Sequence, residues 1–271
     1  MMRIEHMGIR DLLVVLSIFF IAVCGLGCIP NVFADDQVLI TKASTLNHVI
    51  FDGKWTFYTE WKESSLNDLV YNDTTRIELR SAHQDNYLYF MIDALTLTNY
   101  NENADRAIIC LDANNTKMQM PDSNTYCFIA VLGGKNSFVL QGGSPLELTN
   151  HYKVIPSPDG FVAVGGISDQ NDRYTPTPHA TYEFRIPINL VGSSDIYGIY
   201  VEVYDSKSNM VYSYPRDLGQ ISPLMIPDPN QWGVMISPDK SLPEFPLPVA
   251  ILPIALLVAI YFTRSRFVKQ Q

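Results

Sequence analysis

Between residues 35 and 243 no long stretch repeats its apolar residues with the period of a helix. Short runs rich in Val, Ile, Tyr and Phe alternate instead with breaks of Gly, Pro, Asn and Asp. The runs are TRIELRSA (75–82), NYLYFMIDAL (86–95), RAIICLDA (106–113), YCFIAVL (126–132), NSFVLQG (136–142), GFVAVGGI (160–167), TYEFRIPI (181–188) and DIYGIYVEVYD (195–205). Branched and aromatic side chains suit a pleated surface, and the breaks supply turn conformations. Many short strands at this spacing predict an all-β domain, with an antiparallel β-sandwich as the leading architecture. In YVEVYD, Tyr200, Glu202 and Tyr204 alternate with Val201, Val203 and Asp205, which predicts one packed face and one wet face. The Gly-Gly pairs at 133–134, 142–143 and 165–166 read as hairpin turns, because no helix follows them to make a phosphate loop.

The two ends have a different character. Residues 245–262 carry no charge, and Arg264, Arg266 and Lys269 follow directly. Such a run is long enough to cross ~30 Å of hydrocarbon as a helix. Pro246 and Pro248 fall in its first turn, and only Pro253 kinks its interior. At the other end Arg3 and Arg10 precede LLVVLSIFFIAV (12–23), and Val32-Phe33-Ala34 stands before Asp35, the layout of a cleavable secretory signal. Left uncut, residues 12–30 would form a second span. Basic residues beside both runs place the ends in the cytoplasm and the middle outside. The expected organisation is a signal segment at 1–34, an ectodomain at 35–240 and an anchoring tail at 241–271, with a membrane helix at about 245–262. That puts the protein on the extracellular face of the membrane.

Acidic side chains outnumber basic ones by 25 to 14 between residues 35 and 243. This excess argues against nucleic acid and anionic lipid as partners. Cys24 and Cys28 fall in the signal segment, which leaves Cys110 and Cys127 for the ectodomain. They sit on neighbouring predicted strands, so two readings stay open: a cross-strand disulfide worth about 3 kcal/mol, or two reduced core thiols. NDT at Asn72 and NNT at Asn114 are glycosylation acceptors.

Six motifs resemble, in order, the family 9 carbohydrate-binding modules and their relatives. They are FDGKWTFYTEW (51–61), DNYLYFMIDA (85–94), DRAIICLDANN (105–115), YEFRIPI (182–188), IYGIYVEVYDSKSNMVYSYP (196–215) and QWGVMISP (231–238). The resemblance implies a β-sandwich, non-catalytic glycan or envelope-polysaccharide binding, and structural calcium. Pro243-Glu244-Phe245 with the apolar span and basic end resembles the PEF-CTERM sorting signals of archaeal surface proteins, although Pro246 stands where the common form has glycine. This second resemblance implies a membrane sorting transpeptidase as a partner. The tail therefore reads as an anchor or as an exchangeable tag.

Sugar rings stack on aromatic faces. Tyr212 and Tyr214, in an expected loop, are the first stacking candidates, followed by Trp55 and Trp61, which packing at the end of the sandwich explains equally. Asp85, Asp93, Asp112 and Asp205 end strands beside other oxygen-bearing side chains, as calcium ligands do, while turn capping is the simpler alternative. Met91, Met118, Met120, Met210, Met225 and His83 are the candidate haem ligands of a third reading, with core or surface methionines as its alternative. His48, His83, His151 and His179 are most simply exposed. No nucleophile elbow, HExxH helix or CxxC pair is present, so the chain is not read as an enzyme. A structural envelope domain without a small ligand remains the competing function.

Overall fold

The computed structural model describes residues 37–71, 74–134, 136–219, 221–223 and 225–238. Asn72, the signal segment, Pro243, Glu244, Phe245 and the apolar tail lie outside them. Among the described residues no helix is long and apolar enough to cross a membrane.

Among the described residues fourteen strands form two sheets. In chain order they are β1 (Val38–Leu39), β2 (Thr41–Lys42), β3 (Ser65–Tyr71), β4 (Thr75–Gln84), β5 (Tyr87–Ala94), β6 (Arg106–Asp112), β7 (Thr125–Val131), β8 (Ser137–Gln141), β9 (Lys153–Ile155), β10 (Val162–Ile167), β11 (Ala180–Pro187), β12 (Ile196–Asp205), β13 (Met210–Tyr214) and β14 (Gly233–Ile236). One turn of helix, α1 (Ile188–Val191), links β11 towards β12. The larger sheet runs β1-β14-β12-β6-β7-β8-β9, and β13 shares the free edge of β12 with β14. The smaller runs β10-β11-β5-β4-β2, with β3 on the same edge of β4 as β2. All pairings are antiparallel except β1 with β14 and β2 with β4.

The strand alternation dictates the core. Leu88, Phe90 and Ile92 of β5, with Tyr182, Phe184 and Ile186 of β11, face Ile109, Leu111, Phe128, Ile199 and Val201 across the two sheets. Each such side chain gains about 1.5–3 kcal/mol from leaving water. At one corner the sheets touch through their backbones, where Gly133 N–H donates to Gly165 O at 3.1 Å. Here the structure corrects the hairpin reading of Gly165-Gly166, which lie inside β10. A Cβ on Gly165 would sit 2.6 Å from Val131 O, and one on Gly166 would sit 2.7 Å from Gly53 O, so close backbone approach from both sides explains the pair.

The predicted wet face of β12 is also corrected. Tyr200 and Glu202 are buried, because Tyr152, Ile226 and Trp232 cover the outside of the larger sheet. Beneath them Cys110 and Cys127, directly opposite in the β6–β7 register, form a disulfide. The Tyr200 hydroxyl donates to Glu202 Oε2 at 2.8 Å, and Arg106 lies 3.5 Å from Glu202 Oε1. Burial pushes the Glu202 carboxyl up to about 7, against the pull of Tyr200 and Arg106. A raised carboxyl means that stability is complete below about pH 4.5 and falls as pH rises through 7. Glu202→Gln is therefore expected to match the parent near pH 4 and to exceed it by about 3 kcal/mol at pH 8. Melting curves at the two pH values check this, and equal differences at both would contradict it.

Candidate functional site

The outer face of the smaller sheet carries its polar residues in register. One row is Asp68, Glu78, Asp93 and Thr181, and the next is Leu66, Arg80, Met91 and Glu183. Residues 43–64 and 168–179 fold over these rows as a lid, packing Leu46, Trp55 and Trp61 on Ala82, Tyr89 and Met91. Glu183 pins that lid. Its Oε2 accepts the N–H groups of Asp52 at 3.0 Å and Gly53 at 2.7 Å, and its Oε1 accepts Trp61 Nε1–H at 3.1 Å. Burial pushes its carboxyl well above the usual range, and the Gly53 amide pulls it back. Gly53 has φ +80 and lies against Gly166, a place that only glycine fits. Arg80 completes the attachment: Nε donates to the Tyr174 hydroxyl at 2.8 Å, and Nη1 donates to the carbonyls of Trp61 and Ser64, both at 3.3 Å.

Two features sit on this support. On its solvent side Tyr58 is 70 % exposed, beside the more shielded Phe57. Lys62 Nζ lies 5.0 Å and the Arg173 guanidinium 5.5 Å from the Tyr58 ring centre. The Trp55 ring beneath has Arg80 at 5.0 Å and Arg173 at 5.3 Å. Underneath the lid, Asp93, Asp172 and His179 offer one ligand atom each, all within 4.8 Å of one another. Burial pushes the Asp93 carboxyl up, opposed by His179 at its side. Glu78 is raised too, chiefly by burial and then by Asp68, with Arg76 Nη2 at 2.6 Å from its Oε1 in compensation.

The residues singled out in the sequence are distributed differently. Trp61 and Trp55 are 0 % and 4 % exposed and pack the lid. The expected loop holding Tyr212 and Tyr214 is strand β13, which pairs with β12. Tyr214 is 3 % exposed there, and Tyr212 packs edge-on to Tyr71 at 5.4 Å. The four aspartates are not brought together. Asp85 occupies the β4–β5 turn with φ 52. Asp112 accepts the amides of Asn114 at 3.0 Å and Thr116 at 2.7 Å, and Asp205 accepts that of Lys207 at 2.9 Å, so all three serve turns. Asp93 alone joins a ligand-like cluster. His48 is exposed, but His179 is fully buried between Asp93 and Ser168, which corrects its expected exposure. Met91 is core under Trp55 and Trp61, whereas Met118, Met120, Met210 and Met225 are exposed and His83 is half-buried. Asn114 is exposed in the turn after β6. Tyr58, Arg173, Glu183 and Asp172 were not singled out by the sequence, and His179 was read there only as an exposed residue. Only "DGKW" followed by an aromatic pair could have drawn attention to Tyr58.

No protein-family model matches the chain, and no curated protein matches it. It is similar to a family 9 carbohydrate-binding module from Caldicellulosiruptor kristjanssonii solved in complex with cellotriose, with TM-score 0.45 and 14% identity over 74% of this chain and 93% of that one. The structure of such a module from the same organism in complex with glucose gives TM-score 0.44 and 14% identity over 74% of this chain and 95% of that one.

Proposed function

We propose that this chain is an exported, membrane-held surface protein whose β-sandwich binds glycans without catalysing a reaction. The observation that carries the binding reading is Tyr58, a ring mostly open to solvent on a lid fixed from below by buried hydrogen bonds. An exposed aromatic ring on a rigid support is what a pyranose ring stacks against, and Lys62 and Arg173, both lying over the Tyr58 ring, add donors for hydroxyl or carboxylate groups. Export is supported by the cleavable-signal layout at residues 1–34 and by the Cys110–Cys127 disulfide, which suits an oxidising compartment. Membrane attachment is supported by the uncharged run at 245–262 with its basic end, retained as a span or exchanged by a sorting transpeptidase. Asn114 and Asn72 are its glycan acceptors.

A structural envelope domain without a small ligand is the second reading. It is favoured by the burial of Trp55, Trp61 and Trp232, which leaves no tryptophan for a stacking platform. Melting the full chain with glucose, cellotriose and a uronic-acid oligosaccharide separates the two. A ligand at 100 times its dissociation constant adds about 2.7 kcal/mol, a rise of several degrees. Tyr58→Ala is expected to weaken such binding about tenfold while leaving the unliganded melt unchanged, because the ring is exposed. No shift with any sugar supports the structural reading, and a shift that survives Tyr58→Ala moves the site elsewhere.

A further inference from the structure

Asp93 is 1 % exposed, yet its Oδ2 has no hydrogen-bond partner, and neither does the buried Oδ2 of Asp172. In both carboxylates it is the other oxygen that is engaged. Asp172 Oδ1 accepts the amides of Tyr174 at 2.8 Å and Thr175 at 3.1 Å. Asp93 Oδ1 meets His179 Nε2 and, at 3.4 Å, the Thr181 hydroxyl.

The imidazole is oriented by its other nitrogen. His179 Nδ1 lies 2.8 Å from the Thr177 carbonyl, which can only accept, so Nδ1 carries the proton. Its neutral form then directs the Nε2 lone pair at the two carboxylates, and a backbone carbonyl on the far nitrogen is the usual support of a metal-binding histidine. Next along the sheet stands Glu78, whose Oε2 also lacks a partner. A single proton shared between His179 and Asp93 leaves Oδ2 of Asp172 uncompensated, whereas Glu78 has Arg76 at 2.6 Å from its other oxygen. Burying an unpaired carboxylate costs several kcal/mol.

We propose that Asp93, Asp172 and His179 hold a divalent transition-metal cation, with Glu78 at its flank. One imidazole with carboxylate oxygens is a donor set for zinc or manganese, whereas calcium takes oxygen alone. The ion joins Asp93 of β5 to Asp172 and His179 of the 168–179 segment. That segment also carries Arg173 and Tyr174, so the ion fixes the underside of the lid independently of whether the lid binds sugar.

The test uses the full chain stripped with chelator and titrated with zinc, manganese or calcium chloride alone. Metal retained after gel filtration and the melting temperature are both read. The expected result is one zinc or manganese per chain with a rise of several degrees. Asp172→Asn keeps the Oδ1 bonds to the Tyr174 and Thr175 amides, so it is expected to fold, to bind metal at least tenfold more weakly and to lose the rise. Without the metal, that variant is expected to melt at or above the stripped parent, because an unpaired buried carboxylate is gone. Retention of no metal, retention unaffected by Asp172→Asn, or retention of calcium in preference to zinc and manganese would each overturn the assignment. In the first case the His179–Asp93 pair is simply a buried ion pair sharing a proton.

Discussion

Glu183→Ala is expected to destabilise the domain by about 4 kcal/mol and to free the lid from the smaller sheet. The alanine strands two buried donors at once, the amide of Gly53 and the indole N–H of Trp61, while the Asp52 amide keeps its bond to the Ile50 carbonyl at 2.8 Å. Each donor left unsatisfied costs about 1–3 kcal/mol, and water entering the vacated space recovers part of the total. The consequence is local before it is global. Trp55 and Trp61 lie under the lid, while Trp232 covers the opposite sheet among Tyr200 and Ile226. Acrylamide should therefore quench a larger part of the tryptophan emission in Glu183→Ala, with a red-shifted peak, while Trp232 keeps its protection. Glu147→Ala, an exposed carboxylate, is the control and should change stability by less than about 0.5 kcal/mol. An unfolding free energy within about 1 kcal/mol of the parent, with unchanged emission, would show that the lid is held by its apolar contacts alone.

Removing the disulfide is expected to cost about 3 kcal/mol. Cys110 and Cys127 are 17 residues apart and lie on adjacent strands in the middle of the larger sheet. The bond restricts the unfolded chain by closing the largely exposed 113–124 connection, which the reduced chain is free to extend. Cys110→Ala/Cys127→Ala should lower the urea midpoint by roughly 1–1.5 M, for a slope of about 2 kcal/mol/M. The double replacement is preferable to serine, because both positions are fully buried beside Tyr200 and Trp232 and would strand a hydroxyl. Equal midpoints with and without the bond would mean that residual structure already keeps this connection closed in the unfolded ensemble.

The strands of the sandwich were legible because their burial follows period-two chemistry. All eight runs read from the sequence are strands, with ends shifted by one or two residues. β3 was missed because Asn67-Asp68 interrupts the apolar residues of SLNDLVY, an edge strand whose place is set by pairing with β4. The sequence also hid the burial of both faces of each sheet. Alternation reports what touches the inter-sheet core, whereas Tyr200, Glu202 and Met91 are covered by segments that are irregular and distant in the chain. The same limit applies to the site. Asp93 and His179 are 86 residues apart, and only the β5–β11 register brings them together. Aromatic residues are ambiguous in a sequence, since Trp61 and Tyr58 stand three apart and end on opposite sides of the lid. What distinguishes them is that Trp61 has a buried acceptor waiting in Glu183 and Tyr58 has none.

β1 and β14 are short, but their parallel pairing sets the mechanics of the domain. Val38 lies beside Met235 and Leu39 beside Ile236, so the described chain enters and leaves along one sheet edge. Ile40 N–H bonds to Ile236 O at 2.9 Å, and with the next residue β2 begins and joins the other sheet through Thr41 and Lys42. A pull applied between residues 37 and 238 draws two parallel neighbours in opposite directions along their own axes. Their hydrogen bonds then bear the tension together, in shear, instead of peeling apart one after another. A protein tethered at one end and gripped at the other by something it holds would meet drag through this pair of strands first.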